Sequence, residues 1–191
     1  MFSDYLMLGF DHILDWNGYD HILFITVLCA LYSPVQWKKI LILVTAFTVG
    51  HSITLALSSL DIVTFQSQII EICIPVTIVL TAIFNILTAL KDKEATKGIM
   101  VNYLLAGGFG LIHGLGFSNY FKAILGREES IVQPLLAFNI GVEIGQIVIV
   151  VLILLLSYVV LKILKIPIKY WTVIVSLIGI IVSMQMIIDK I

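Results

Sequence analysis

Gln133 to Leu161 reads QPLLAFNIGVEIGQIVIVVLILLLSYVVL, and Glu143 is its one charged residue. A helix needs about 20 predominantly apolar residues to cross roughly 30 Å of hydrocarbon, so this run is long enough to span a bilayer. Working outward from it, comparable apolar runs fall at 18–33, 37–59, 66–90, 98–117 and 171–188. The first is short and is expected to continue toward Trp16 or to sit where the bilayer thins. The chain has 191 residues, 60% hydrophobic and 12% charged, and a mean hydropathy of +1.12, far from the balance of a soluble domain. The expectation is an all-α, polytopic membrane protein: a single transmembrane domain over 1–191, with a bundle of about six transmembrane helices.

The composition also excludes function classes. A net charge of −1 offers no basic surface for nucleic acid, and no glycine-rich phosphate loop is present. Cys29 and Cys73, the two cysteines, each sit inside an apolar run without a CxxC partner, so they read as small buried hydrophobes.

Lysine and arginine are retained on the cytoplasmic side of a membrane, so their distribution predicts orientation. Lys38, Lys39, Lys91, Lys93, Lys97, Lys162, Lys165 and Lys169 fall in one set of alternate loops, against Lys122, Arg127 and Lys190 in the other. Both termini are therefore expected on the outer side of the membrane. Met1 to Gly18 lacks Lys and Arg and carries Asp4, Asp11 and Asp15, the wrong chemistry for a cleavable leader, and is expected to be retained. These three acids lie within about 40° on a helical wheel, opposite Leu6, Phe10 and Ile13, which predicts a short N-terminal interfacial helix. Its acidic face reads either as solvated surface or as a mouth that concentrates cations.

The four histidines, His12, His21, His51 and His113, all lie in or beside membrane runs, where ionisable groups are costly and usually paired or functional. At 1.5 Å per residue, His21 lies about 5 Å from the outer end of its helix, and His51 and His113 about 21 to 22 Å from their inner ends. Asn139 and Glu143 descend from outside to about 9 and 15 Å, with Gln146 continuing their stripe, while Glu71 enters at about 7 Å and Asp20 precedes His21. The polar inventory thus converges on one outer-half layer. Gly110 with Gly114, and Gly141 with Gly145, form GxxxG pairs that allow the fourth and fifth runs to approach, which would join His113 to Glu143. Thr48, His51, Thr54 and Ser58 make a polar stripe expected to face protein, and Asn85 is expected to bond between helices.

Several segments together resemble the HupE/UreJ family of bacterial membrane proteins. These are His12, DHILF at 20–24, GHSITL at 50–55, HGLGF at 113–117 and FNIGVEIGQ at 138–146, and the resemblance runs from about residue 9 to 158. It implies a small polytopic inner-membrane protein, in some members linked to nickel supply for hydrogenase or urease. The chain departs from the nickel members in having no histidine-rich loop.

Three imidazoles and a carboxylate suit a borderline divalent ion such as nickel, zinc or cobalt, and such a site should weaken toward pH 6 as the rings protonate. The leading expectation is a nickel-like divalent metal permease whose site is His21, His51, His113 and Glu143, with Asp20, His12 and Asn139 in support. One alternative is an intramembrane zinc-dependent hydrolase acting on a lipid or peptide, in which Glu143 or Asp20 activates the bound water. Another is a structural scaffold. Expected partners are the lipid bilayer and a metal ion, with no nucleic acid; a homo-oligomer is left open.

Overall fold

A chain this apolar satisfies its backbone only by closing hydrogen bonds within each segment, and helices are what forms. The computed structural model describes residues 2–16, 18–91, 99–126 and 130–190, and among them are seven α-helices and no strand. They are α1 (Phe2–Leu14), α2 (Asp20–Cys29), α3 (Trp37–Ser59), α4 (Ser67–Leu90), α5 (Ile99–Leu125), α6 (Val132–Tyr158) and α7 (Ile168–Ile188). A 3-10 turn, Pro34–Gln36, leads into α3, and α6 runs on through a π turn, Val159–Ile163. The turn before α3 carries a capping box, in which the Ser33 N–H donates to Gln36 Oε1 at 3.1 Å, with Pro34 at the first position.

Among the described residues, four stretches are long and apolar enough to cross a membrane: Pro34–Ser59, Ser67–Leu90, Val132–Ile163 and Ile168–Ile188. The run at 18–33 behaves differently from expectation. Only Asp20–Cys29 is helical there, about 15 Å of rise, half of what a crossing needs. Conversely the fourth run continues past Phe117 to Leu125. Lys93, Lys97 and Arg127, on which part of the charge asymmetry rests, lie outside the described residues.

Contacts between helix ends define two ends of the bundle. At one, Lys122 Nζ on α5 pairs with Asp61 Oδ1 after α3 at 2.6 Å, Asn119 donates to Ser67 Oγ at 2.8 Å, and Lys190 Nζ pairs with Glu71 Oε2 at 2.9 Å. At the other, Asn85 Nδ2 on α4 donates to the Val27 carbonyl at 2.7 Å, the expected interhelical bond, and Thr172 Oγ1 on α7 donates to the Ala30 carbonyl at 2.7 Å. We call these the Glu71 end and the Asn85 end.

Close approach depends on glycine, though not in the expected pairing. Gly50, Gly110 and Gly114 join α3 to α5: a Cβ on Gly110 would overlap the Phe47 carbonyl, and one on Gly114 the His51 carbonyl. Gly141 and Gly145 instead receive α1, through Leu6, Phe10 and Ile13, while Gly9 lies against the Phe138 carbonyl. Both GxxxG pairs are packing surfaces, but each faces a different neighbour, so α5 and α6 are not joined through them. The physical reason is that α1 occupies the groove on α6. It runs in the same sense as α6, Leu6 meeting Gly141 and Ile13 meeting Gly145. Its acids Asp4, Asp11 and Asp15 are exposed as expected, while Tyr5, Gly9 and Ile13 are buried. The N-terminal helix thus packs on protein rather than resting its apolar face on lipid.

Candidate metal centre

With α1 folded against α6, its last turn brings His12 beside the first turn of α2. The rings of His12 and His21 stand with centroids 4.6 Å apart, and His51 on α3 lies 5.9 Å from His12 and 6.0 Å from His21. One ring nitrogen from each of His12, His21 and His51 lies within 4.8 Å of the others. A transition metal bound at about 2.1 Å in tetrahedral geometry sets its nitrogens about 3.4 Å apart. Rotation of side chains by an ångström or so would therefore close the group around an ion.

The nitrogens are poorly provided with other partners. Among the described residues, His12 Nε2, both ring nitrogens of His21 and of His51, and His113 Nε2 are buried without a hydrogen bond. His51 is fully buried and His21 is 3% exposed. Buried polar atoms are nearly always satisfied, so ring nitrogens grouped in this way are an arrangement that could hold a ligand. Asp20 Oδ1 accepts from the His21 backbone N–H at 2.8 Å and lies 3.0 Å from His21 Nδ1, within ion-pair distance.

Of the expected residues, the structure brings some together and leaves others apart. His21 and His51 are brought together, and His12 joins them where the sequence had placed it in support. His113 stands alongside, its ring 5.4 Å from that of His21, its Nδ1 donating to the Phe109 carbonyl at 2.9 Å and its Nε2 left over. Glu143 is not part of the group: its Oε1 accepts from Thr45 Oγ1 on α3 at 2.6 Å. Its neighbour Gln146 likewise takes Thr48 Oγ1 at 2.8 Å. The α6 stripe therefore serves the seam with α3. Asn139 turns its amide along its own helix, Nδ2 donating to the Leu135 carbonyl at 2.8 Å. Thr48, His51, Thr54 and Ser58 are buried, as the polar stripe on α3 requires.

A pocket of about 960 Å³ leads from the Glu71 end to this cluster. His12, His21 and His113 line it, together with Asp11, Asp15, Asp20, Glu71, Asp189 and Lys190. Carboxylates thus outnumber the cation along the approach, and a low-dielectric wall strengthens their field. Glu71, placed by sequence in the polar layer, belongs to this mouth.

Aromatic rings enclose the imidazoles, and sequence reading had not singled them out. Phe117 lies 3.9 Å from the His12 ring and stacks on Phe138 at 5.1 Å. Phe24 and Phe47 lie 5.3 and 5.0 Å from His113. A signal existed: Phe24, Phe47, Phe109 and Phe117 each fall one helical turn from a histidine.

No curated protein and no solved structure matches the chain. A family model, described as HupE / UreJ protein, matches residues 1–189, nearly the whole length. The chain belongs to the HupE/UreJ family.

Proposed function

We propose that this protein is a membrane permease for a divalent transition-metal ion of the nickel type, with His12, His21 and His51 as the principal ligands and His113 as a fourth donor. The observation that carries the reading is the convergence, from separate helices, of buried ring nitrogens that make no hydrogen bond among the described residues. Neutral imidazole suits nickel, cobalt and zinc and disfavours calcium or magnesium, which prefer oxygen. Asp20 orients His21, and the acidic mouth draws cations toward the rings. The family's link to nickel supply favours nickel as cargo.

In this reading the Glu71 end faces outward across a bacterial inner membrane, both termini lie on that side, and α1 with α2 together replace one crossing. A hydrolase is less well supported, because Glu143, one of the two expected bases, is engaged with Thr45, and Asp20, the other, is taken up by His21. A scaffold would satisfy its histidines with hydrogen bonds.

The test is flux into vesicles that contain the purified protein and a nickel-sensitive dye. Dye response with the wild type, lost in His51→Ala, supports the permease. Tight, non-exchanging metal with no flux would refute it.

A further inference from the structure

The cluster explains capture from one end; release needs a way out at the other. We infer that a second cavity, at the Asn85 end, is the exit half of the route, and that Phe24, Phe47 and Phe109 form the closed gate between them. This rests on the permease reading above.

The cavity measures about 310 Å³; its wall is mostly apolar, Leu28, Leu31, Phe84, Ala106 and Phe109 among it, and Tyr32, Thr81, Asn85 and Asn102 supply its polar part. By size it would admit a divalent ion with part of its water shell, held at the four polar side chains. Asn102, 7% exposed, donates from Nδ2 to the Tyr32 hydroxyl at 2.7 Å, and its Oδ1 is buried without a partner among the described residues. Amide and hydroxyl oxygens are neutral, hard donors that hold a borderline ion less firmly than imidazole does. An ion passing from the histidines to this chamber therefore moves from a strong site to a weak one, as release demands.

The gate follows from register. α2 runs toward the Asn85 end, whereas α3 and α5 run away from it. Phe24 is three residues after His21, Phe47 four before His51, and Phe109 four before His113, so each phenylalanine lies one turn from its histidine on the Asn85 side. Their rings make one layer: Phe24 sits 4.9 Å from Phe47 and 6.3 Å from Phe109. Phe24 and Phe47 are essentially fully buried. Phe109 touches both compartments, its carbonyl holding His113 Nδ1 and its side chain lining the cavity. Engagement of His113 by an ion would pull on that residue, which gives the gate a mechanical link to occupancy.

The experiment compares nickel binding in detergent with nickel flux in vesicles for wild type, Ala106→Phe, Asn102→Leu and Phe109→Ala. Filling the chamber by Ala106→Phe should cut flux at least tenfold while leaving bound nickel within twofold of wild type. Asn102→Leu, which removes the polar donor on a side chain of similar shape, should also cut flux several-fold, and it carries the test if Ala106→Phe fails to fold. Phe109→Ala should raise flux or create a leak to other small cations. Wild-type flux in every variant that folds overturns the exit route. A wild type that neither binds nor carries nickel overturns the permease reading instead, so the two failures are separable.

Discussion

The imidazole of His12 on α1 and that of His21 on α2 stand 4.6 Å apart, whereas nine residues of one continuous helix would separate them by about 14 Å. The break between the two short helices is what makes the site. Removing His12 should therefore cost as much as removing His51. We expect His12→Ala and His51→Ala each to weaken nickel or zinc binding by more than about a hundredfold, above the 10- to 100-fold attached to an outer partner. His113→Ala should cost less. Competitive titration with a metal indicator checks the order, and equal or larger loss in His113→Ala would reassign the ligands.

Asp20 contacts His21 twice, through its backbone N–H at 2.8 Å and near its Nδ1 at 3.0 Å. Asp20→Asn keeps the shape and removes the charge. It should lower metal affinity by about 10- to 100-fold with stoichiometry unchanged. Full affinity in this variant would make Asp20 a helix-start residue alone.

Glu143 bonds Thr45 rather than the cluster. Glu143→Gln should leave metal affinity within about twofold, since the amide oxygen still accepts from Thr45. Glu143→Ala should cost about 1 kcal/mol of stability for the lost hydrogen bond. Thermal unfolding in detergent alongside metal titration separates the two effects, and a large affinity loss in Glu143→Gln would return the carboxylate to the ligand set.

Gly9 lies against the Phe138 carbonyl with no room for a Cβ, while a Cβ on Gly108 meets nothing within 4 Å. Gly9→Ala should push α1 off α6, carry His12 away and abolish tight metal binding, with helix content by circular dichroism retained. Gly108→Ala, the matched control, should bind as wild type. Equal binding in both would mean that α1 does not hold His12 in place.

The long helices were legible because hydrophobic run length alone decides them: the 37–59 run and helix α3 coincide. The first run was not, since apolar residues from 18 to 33 fill a ten-residue helix and a turn as readily as a crossing. The site was half legible. Depth arithmetic put His21 and His51 at one level, because rise per residue is fixed, but it carries no information about rotation around the helix axis. That is why Glu143, at a suitable depth, belongs to the seam with Thr45. Sequence places His12 less firmly, because amphipathicity in α1 describes two faces without saying whether lipid or α6 covers the apolar one. Gly9 was the residue that answers it.

X-ray absorption spectroscopy of the nickel-loaded, detergent-purified protein tests the central claim most directly. Wild type should hold about one ion per chain with at least three imidazole nitrogens in its coordination shell, and the His12→Ala, His21→Ala, His51→Ala triple variant should lose both the ion and the imidazole scattering. An unchanged spectrum in the triple variant, or a wild type that retains no metal, would contradict it.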